Sequence, residues 1–148
     1  RETMFSLDNT SVNTLNKENR IYQEIAKIAE IRKRSAPLKF GRMYMREYSK
    51  DGRVFHLPVN IDCMLAFSRI LYDEEMVIVY NDSLTNEDEE YINVDRHLNP
   101  EGAIFRYCYG GNGKIHVLKN EDGSRHFIKI KLKPAQFVIL TNSTSEDF

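Results

Sequence analysis

Two runs of acidic residues are the first candidates for chemistry. Asp73-Glu74-Glu75 lies between two predicted strands, and Glu87-Asp88-Glu89-Glu90 directly precedes Tyr91. Two carboxylates about 5 to 10 Å apart could hydrolyse a glycosidic bond, and a loop rich in oxygen ligands could bind Ca²⁺. However, the second run lacks the alternating Asp or Asn residues and the glycine of an EF-hand loop. We interpret both runs as exposed turns in which each carboxylate faces bulk solvent.

The histidines and cysteines form no recognisable metal-binding motif. His116 and His126 could lie near each other if the turn at 120–123 closes a hairpin, but two imidazoles without a third ligand do not make a catalytic zinc site. Cys63 and Cys108 are too few for a cysteine-based zinc site, and we interpret them as buried thiols. The sequence therefore predicts no metal and no cofactor.

Motifs for nucleophilic catalysis and phosphate binding are also missing. The chain has no G-x-S-x-G sequence, and Ser68 lies within a predicted strand rather than on an exposed elbow. The glycines at 110, 111 and 113 precede no predicted helix, which argues against a P-loop. We predict no catalytic residue in this chain.

Three aromatic residues recur at every second position, Phe105, Tyr107 and Tyr109. On one side of a strand, they could form a platform that stacks on a sugar. The alternative is that they are core residues whose hydroxyl groups reach the rim of the fold. We favour the core, and keep Tyr107 and Tyr109 as the candidate carbohydrate contacts.

Composition narrows the classes of protein that this chain can represent. Its 148 residues suffice for one domain, and 21 Lys and Arg residues are balanced by 22 Asp and Glu residues. That balance argues against binding nucleic acid through a broad basic surface. No apolar run approaches the 18 residues of a membrane span. The chain begins at Arg1 like a segment of a longer protein, so the sequence does not indicate a compartment.

The elements follow from the hydrophobic pattern. Isoleucines at 21, 25 and 28 recur at helical spacing, and Asn16 or Asn19 can cap the first turn. We therefore predict one amphipathic helix over 19–35. We expect Pro37 to end this helix by keeping Ala36 out of helical geometry. After it, apolar residues alternate with polar ones, and the Gly52 and Gly123 sequences are typical of hairpin turns. The predicted strands are 38–48, 53–57, 63–72, 75–82, 91–96, 103–109, 114–119, 125–133 and 136–142.

These elements predict a mainly β fold, an antiparallel β-sandwich of Greek-key type with about eight strands, preceded by the helix. Two strands, around 65–67 and 76–80, are apolar on both faces. Because the second sheet covers only one face, the helix or a neighbouring domain must cover the other.

The helix and the strands after it resemble one enzyme family. IYQEIAKIAEIR at 21–32, followed by APLKFGR at 36–42, is similar to the last barrel helix of the α-amylase family (glycoside hydrolase family 13) and the segment that leads into its C-terminal β domain. LAFSRIL at 65–71, MVIVYN at 76–81 and LKPAQFVIL at 132–140 resemble strands of that β domain, and Arg1–Phe5 resembles the segment after the last barrel strand.

The resemblance implies a division at residue 37. Residues 1–37 would be the end of a catalytic barrel, and 38–148 a C-terminal β-sandwich domain with a short flexible tail. The catalytic carboxylates of the family would then lie upstream of Arg1, so this fragment would be non-catalytic and its parent would act on α-glucans. The barrel is the expected partner. Two alternatives stay open: a carbohydrate-binding module, and a protein-interaction or homodimerisation domain that uses an exposed apolar face.

Overall fold

A computed structural model describes residues 16–58 and 63–144 of the chain. The predicted match at Arg1–Phe5 and the end of the predicted tail lie outside these residues. In the described ranges, two helices precede nine strands. Neither helix has the length and apolar character that a bilayer span requires.

Helix α1 spans Arg20–Arg34, as the sequence predicted. The Asn19 side chain accepts a hydrogen bond from the Ile21 N–H at 2.8 Å, which satisfies one of the donors that a first helical turn leaves unpaired. Three basic residues at 32–34 occupy the last turn, where cations oppose the negative end of the helix dipole.

The helix ends at Ser35, whose backbone is extended (φ −91°, ψ 116°). The Ser35 hydroxyl accepts a hydrogen bond from the Leu38 N–H and begins a short second helix, α2, over Ala36–Phe40. The prediction that Pro37 keeps Ala36 out of helical geometry was therefore wrong. Pro37 lies in the first turn of α2, where a backbone N–H has no helical partner and its loss costs little.

Seven of the predicted strands are confirmed with shifts of up to three residues at their ends. The strand predicted over 38–48 is replaced by α2 and two short strands, and 53–57 contributes only an isolated bridge between His56 and Tyr48. The strands are β1 Arg42–Met45, β2 Tyr48–Ser49, β3 Met64–Leu71, β4 Glu74–Asn81, β5 Asp88–Val94, β6 Ile104–Tyr109, β7 Lys114–Lys119, β8 His126–Leu132 and β9 Phe137–Thr141.

All strand pairs are antiparallel, in the order β1-β3-β4-β9-β6-β7-β8-β5-β2. The sheet curls into two layers because β7 pairs with β6 through residues 114–116 and with β8 through residues 117–119. The first layer is β1-β3-β4-β9-β6, and the second is β8-β5-β2. The run β9-β6-β7-β8 has the strand order of a Greek key. The predicted sandwich-like fold, preceded by a helix, is confirmed.

Side chains from both layers meet in one core. Its fully buried members include Met64, Val77, Phe105, Ile128 and Leu140. The two predicted hairpin glycines adopt positive φ angles, 74° at Gly52 and 68° at Gly123, which a residue with a side chain rarely adopts.

Candidate functional site

The outer face of the first layer carries a second apolar cluster. Met76, Ile78 and Ile139 are buried there, and Ile28 and Ile31 of α1 pack against them. The sequence predicted that the strand at 76–80 is covered on both faces, by the helix or by another domain. In the structure α1 provides this cover, which is the first of those alternatives.

Part of the same face is not covered by α1. Met45 pairs with Phe67, and Leu65 pairs with Tyr80, and directly paired residues project to the same side of a sheet. Met43, two residues before Met45, projects to that side as well. Met43, Met45 and Leu65 are 58%, 50% and 39% exposed. We call these five residues the outer apolar face.

The first half of α1 also leaves its apolar side uncovered. Ile21 and Ile25 are 58% and 61% exposed, although they belong to the same helical stripe as Ile28. The helix is anchored beside them by Tyr109, whose hydroxyl donates a hydrogen bond to Glu24 Oε2 at 2.6 Å. An apolar stripe of this kind is half buried against the sheet and half available to another surface.

The two candidate carbohydrate contacts do not share a face. The pairing of β6 with β9 shifts by one residue between Tyr107, opposite Leu140, and Tyr109, opposite Ile139. Such a bulge reverses the direction of the side chains that follow it. Tyr107 packs against the main core, whereas Tyr109 belongs to the outer cluster beside Phe137. The prediction of one stripe was wrong, and sugar contact by either tyrosine stays a prediction.

The interpretation of Glu75 as an exposed turn residue was also wrong. Its side chain is fully buried and accepts four hydrogen bonds. Oε1 accepts from Arg46 Nη2 at 2.6 Å and from Ser68 Oγ at 2.5 Å. Oε2 accepts from the Asp95 N–H at 3.0 Å and from Asn99 Nδ2 at 2.6 Å. Because both oxygens accept two hydrogen bonds each, Glu75 ties loops and strands together.

Glu90 departs from the expected exposed turn in a different way. It is fully buried, and neither of its oxygens has an aligned hydrogen-bond partner among the described residues. Lys50 Nζ lies 2.7 Å from Oε1 and 2.5 Å from an oxygen of Asp88. Burial, together with the neighbouring Asp88, raises the pKa of Glu90 to about 7 against the attraction of Lys50. The pKa of this buried carboxyl group therefore lies near neutral pH.

The histidines and cysteines do not assemble. His126 lies opposite Lys119 and His116 lies opposite Ile104, so the two histidines do not face each other across the hairpin of β7 and β8. In residues 16–58 and 63–144, no group of three His, Cys, Asp or Glu side chains could hold a metal ion. Burial raises the pKa of the Cys108 thiol to about 11.

The buried carboxylates had a sequence signal that the sequence analysis missed. Glu75 is in phase with Val77 and Val79, and Glu90 is in phase with Ile92 and Val94. Alternation at period 2 places each set on the core face of its strand. Each acidic run therefore joins one carboxylate on the core face, Glu75 or Glu90, to exposed neighbours such as Asp73 and Glu89.

Comparison of the chain with models of known protein families finds no matching family, and comparison with curated proteins finds no similar sequence. Within the described residues, the outer apolar face and the half-covered helix α1 are the features that indicate a function.

Proposed function

We propose that this chain is the non-catalytic C-terminal β-sandwich domain of an α-amylase-type glycosidase. In this proposal it stabilises the enzyme by packing against the catalytic barrel. The observation that carries the proposal is the outer apolar face, which lies on the same side of the sheet as the half-covered helix α1.

The exposure of these side chains supports packing against a neighbouring domain. Met45 and Leu65 belong to neighbouring strands, and their side chains project outward beside the covered Ile78 cluster. Contiguous apolar surface is costly to leave in water and commonly marks an interface. The uncovered Ile21 and Ile25 extend the apolar surface onto α1. A barrel that includes α1 as its last helix would cover both.

The described carboxylates support a non-catalytic role. A glycosidase needs two carboxyl groups that flank one bond, one to protonate the leaving oxygen and one to attack or to activate water. Glu75 is saturated with hydrogen bonds, and Glu90 is enclosed with Lys50 and Asp88. In this proposal the reacting carboxylates belong to a preceding domain, and α-glucans are the substrate class that the sequence resemblance implies.

The test uses the complete reading frame that contains this chain. We expect it to encode alternating strands and helices upstream, with Asp and Glu residues at strand ends, and the complete protein to hydrolyse maltooligosaccharides. Residues 1–148 alone should not. An upstream sequence without this pattern, or hydrolysis by the isolated chain, would contradict the proposal.

Variants of the outer apolar face test the packing in the complete protein. Met45→Asp and Leu65→Asp should lower the Tm of the barrel, because each places a charge in a dry interface. Leu84→Asp is the matched control, since Leu84 is 77% exposed in the loop after β4. Sedimentation tests the self-association alternative. That alternative would be favoured if the complete protein were a dimer and Met45→Asp made it a monomer.

A further inference from the structure

A cavity of about 270 Å³ opens at the end of the sandwich where β5 ends and β8 begins. Its lining comes from three separate parts of the chain: Arg46 directly after β1, residues 93–97 at the end of β5 and in the turn that follows, and residues 124–126 at the start of β8. The charged and titratable residues of the lining are Arg46, Asp95, Arg96, His97, Arg125 and His126. Three guanidinium groups therefore meet one carboxylate in a chain whose net charge is −1.

Two of the arginines are held in place by carboxylates that do not line the cavity. Arg46 binds the buried Glu75 through Nη2 and donates to Ser68 Oγ through Nε, and Arg125 binds Glu47 through Nη1. Each guanidinium has five N–H donors in a fixed plane, so one carboxylate partner leaves further donors available. These pairs fix the position of both guanidinium groups at the cavity wall.

Arg96 has no carboxylate partner among the described residues. Its Nε lies 3.4 Å from His97 Nε2, and no acceptor among those residues binds its two terminal nitrogens. The Asp95 carboxylate is engaged with the turn that carries Arg96, where Oδ1 accepts from the N–H groups of His97 and Leu98. The positive charge of Arg96 is therefore uncompensated by a direct ion pair.

His126 supplies a further polar group. Its Nδ1 lies 2.8 Å from the carbonyl oxygen of Asn99. Because a carbonyl oxygen only accepts, Nδ1 donates this bond, and Nε2 of the neutral imidazole is then an acceptor that can receive a hydrogen bond from a protonated phosphate oxygen.

From this arrangement we infer that the cavity binds a small tetrahedral oxyanion, either free phosphate or the phosphate group of a small molecule. Three guanidinium groups that approach from different segments suit an anion that accepts hydrogen bonds on several oxygens, and guanidinium groups bind phosphate bidentately. None of the lining residues belongs to the outer apolar face, so this inference goes beyond the proposed packing function and does not depend on it.

The test is titration of the chain with inorganic phosphate at constant ionic strength, followed by ¹H–¹⁵N NMR. We expect the amide signals of residues 93–97 and 124–126 to shift and to saturate at or below about 10 mM phosphate. Arg96→Gln should weaken binding at least about tenfold, because it removes the uncompensated charge. Arg96 is exposed, so this variant should unfold at the wild-type temperature.

Arg53→Gln is the matched control, since Arg53 is also exposed and lines a different cavity. It should bind phosphate like the wild type. A small organic phosphate that binds more tightly than free phosphate would identify a phosphorylated metabolite as the source. Absence of saturation, equal binding by Arg96→Gln, or equally tight binding of acetate would overturn the inference.

Discussion

Glu90 makes the stability of this protein depend on pH near neutrality. The residue lies on the core-facing side of β5, opposite Ile130 of β8, and is fully buried. Its nearest opposite charge, Lys50, is shared with Asp88 and is itself 57% exposed. A carboxylate in this position loses its hydration without gaining aligned hydrogen bonds, so folding favours the protonated acid.

The size and sign of the effect follow from linkage. The pKa of Glu90 rises from an ordinary value of 4.5 to about 7 in the folded protein, mainly because of burial. Between these values the folded state binds more protons than the unfolded chain, so the free energy of unfolding falls as the pH rises from about 4.5 to about 7. The total loss is roughly 3 kcal/mol, with no further change from this residue above that range. Burial raises the pKa of Asp88, but the hydrogen bond and charge of Lys50 lower it overall. The pH dependence of stability that Asp88 contributes therefore lies below about pH 4.

The assay is urea unfolding of the wild type and of Glu90→Gln between pH 5 and pH 8. Glutamine keeps the shape of the protonated acid, so the variant should lose most of the decline, and the difference between the two curves isolates Glu90. Glu89→Gln is the control, because Glu89 is exposed on the same strand and pairs with Lys129 at 2.9 Å. If the free energy of unfolding of Glu90→Gln fell as steeply with pH as that of the wild type, the reasoning would be refuted.

Three further predictions concern single contacts. Glu75→Ala should destabilise the protein by about 3 to 5 kcal/mol, because it leaves buried donors without their shared acceptor; chemical denaturation measures this, and a cost below about 1 kcal/mol would contradict it. Gly110→Ala should lower the Tm by several degrees, because φ is 77° and a Cβ would lie 2.0 Å from the Phe137 carbonyl oxygen; an unchanged Tm would show that the turn relaxes. Ile28→Ala should cost about 1 to 2 kcal/mol and the exposed Ile25→Ala much less; equal costs in the isolated chain would contradict the packing of α1.

Much of the fold was predictable because it is encoded by near neighbours. Isoleucines at helical spacing and a capping Asn16 or Asn19 predicted α1, and period-2 alternation or short apolar runs predicted β8 and six other strands. The exception at 36–40 has a local cause as well, since the Ser35 hydroxyl caps a new helical turn that apolar alternation does not reveal.

The candidate site was predictable only in part. Apolar residues on both faces of 76–80 predicted that something covers the outer face, and the structure shows that α1 does so over Met76 and Ile78. Which residues remain exposed depends on where the helix crosses the sheet. The sequence pattern of α1 does not distinguish Ile25, which is exposed, from Ile28, which packs against the buried outer cluster.

By itself, the sequence determined helix α1, the order of the seven confirmed strands and the turns at Gly52 and Gly123, because these depend on backbone sterics and on burial at a fixed spacing. Only the tertiary structure decided that a bulge separates Tyr107 from Tyr109, since a bulge is a shift in pairing with a strand distant in sequence. It alone also decided that Lys50 and Asp88 lie beside the buried Glu90 and which arginines line one cavity. Desolvation and charge depend on residues that approach from distant parts of the chain, as Arg46 approaches Glu75.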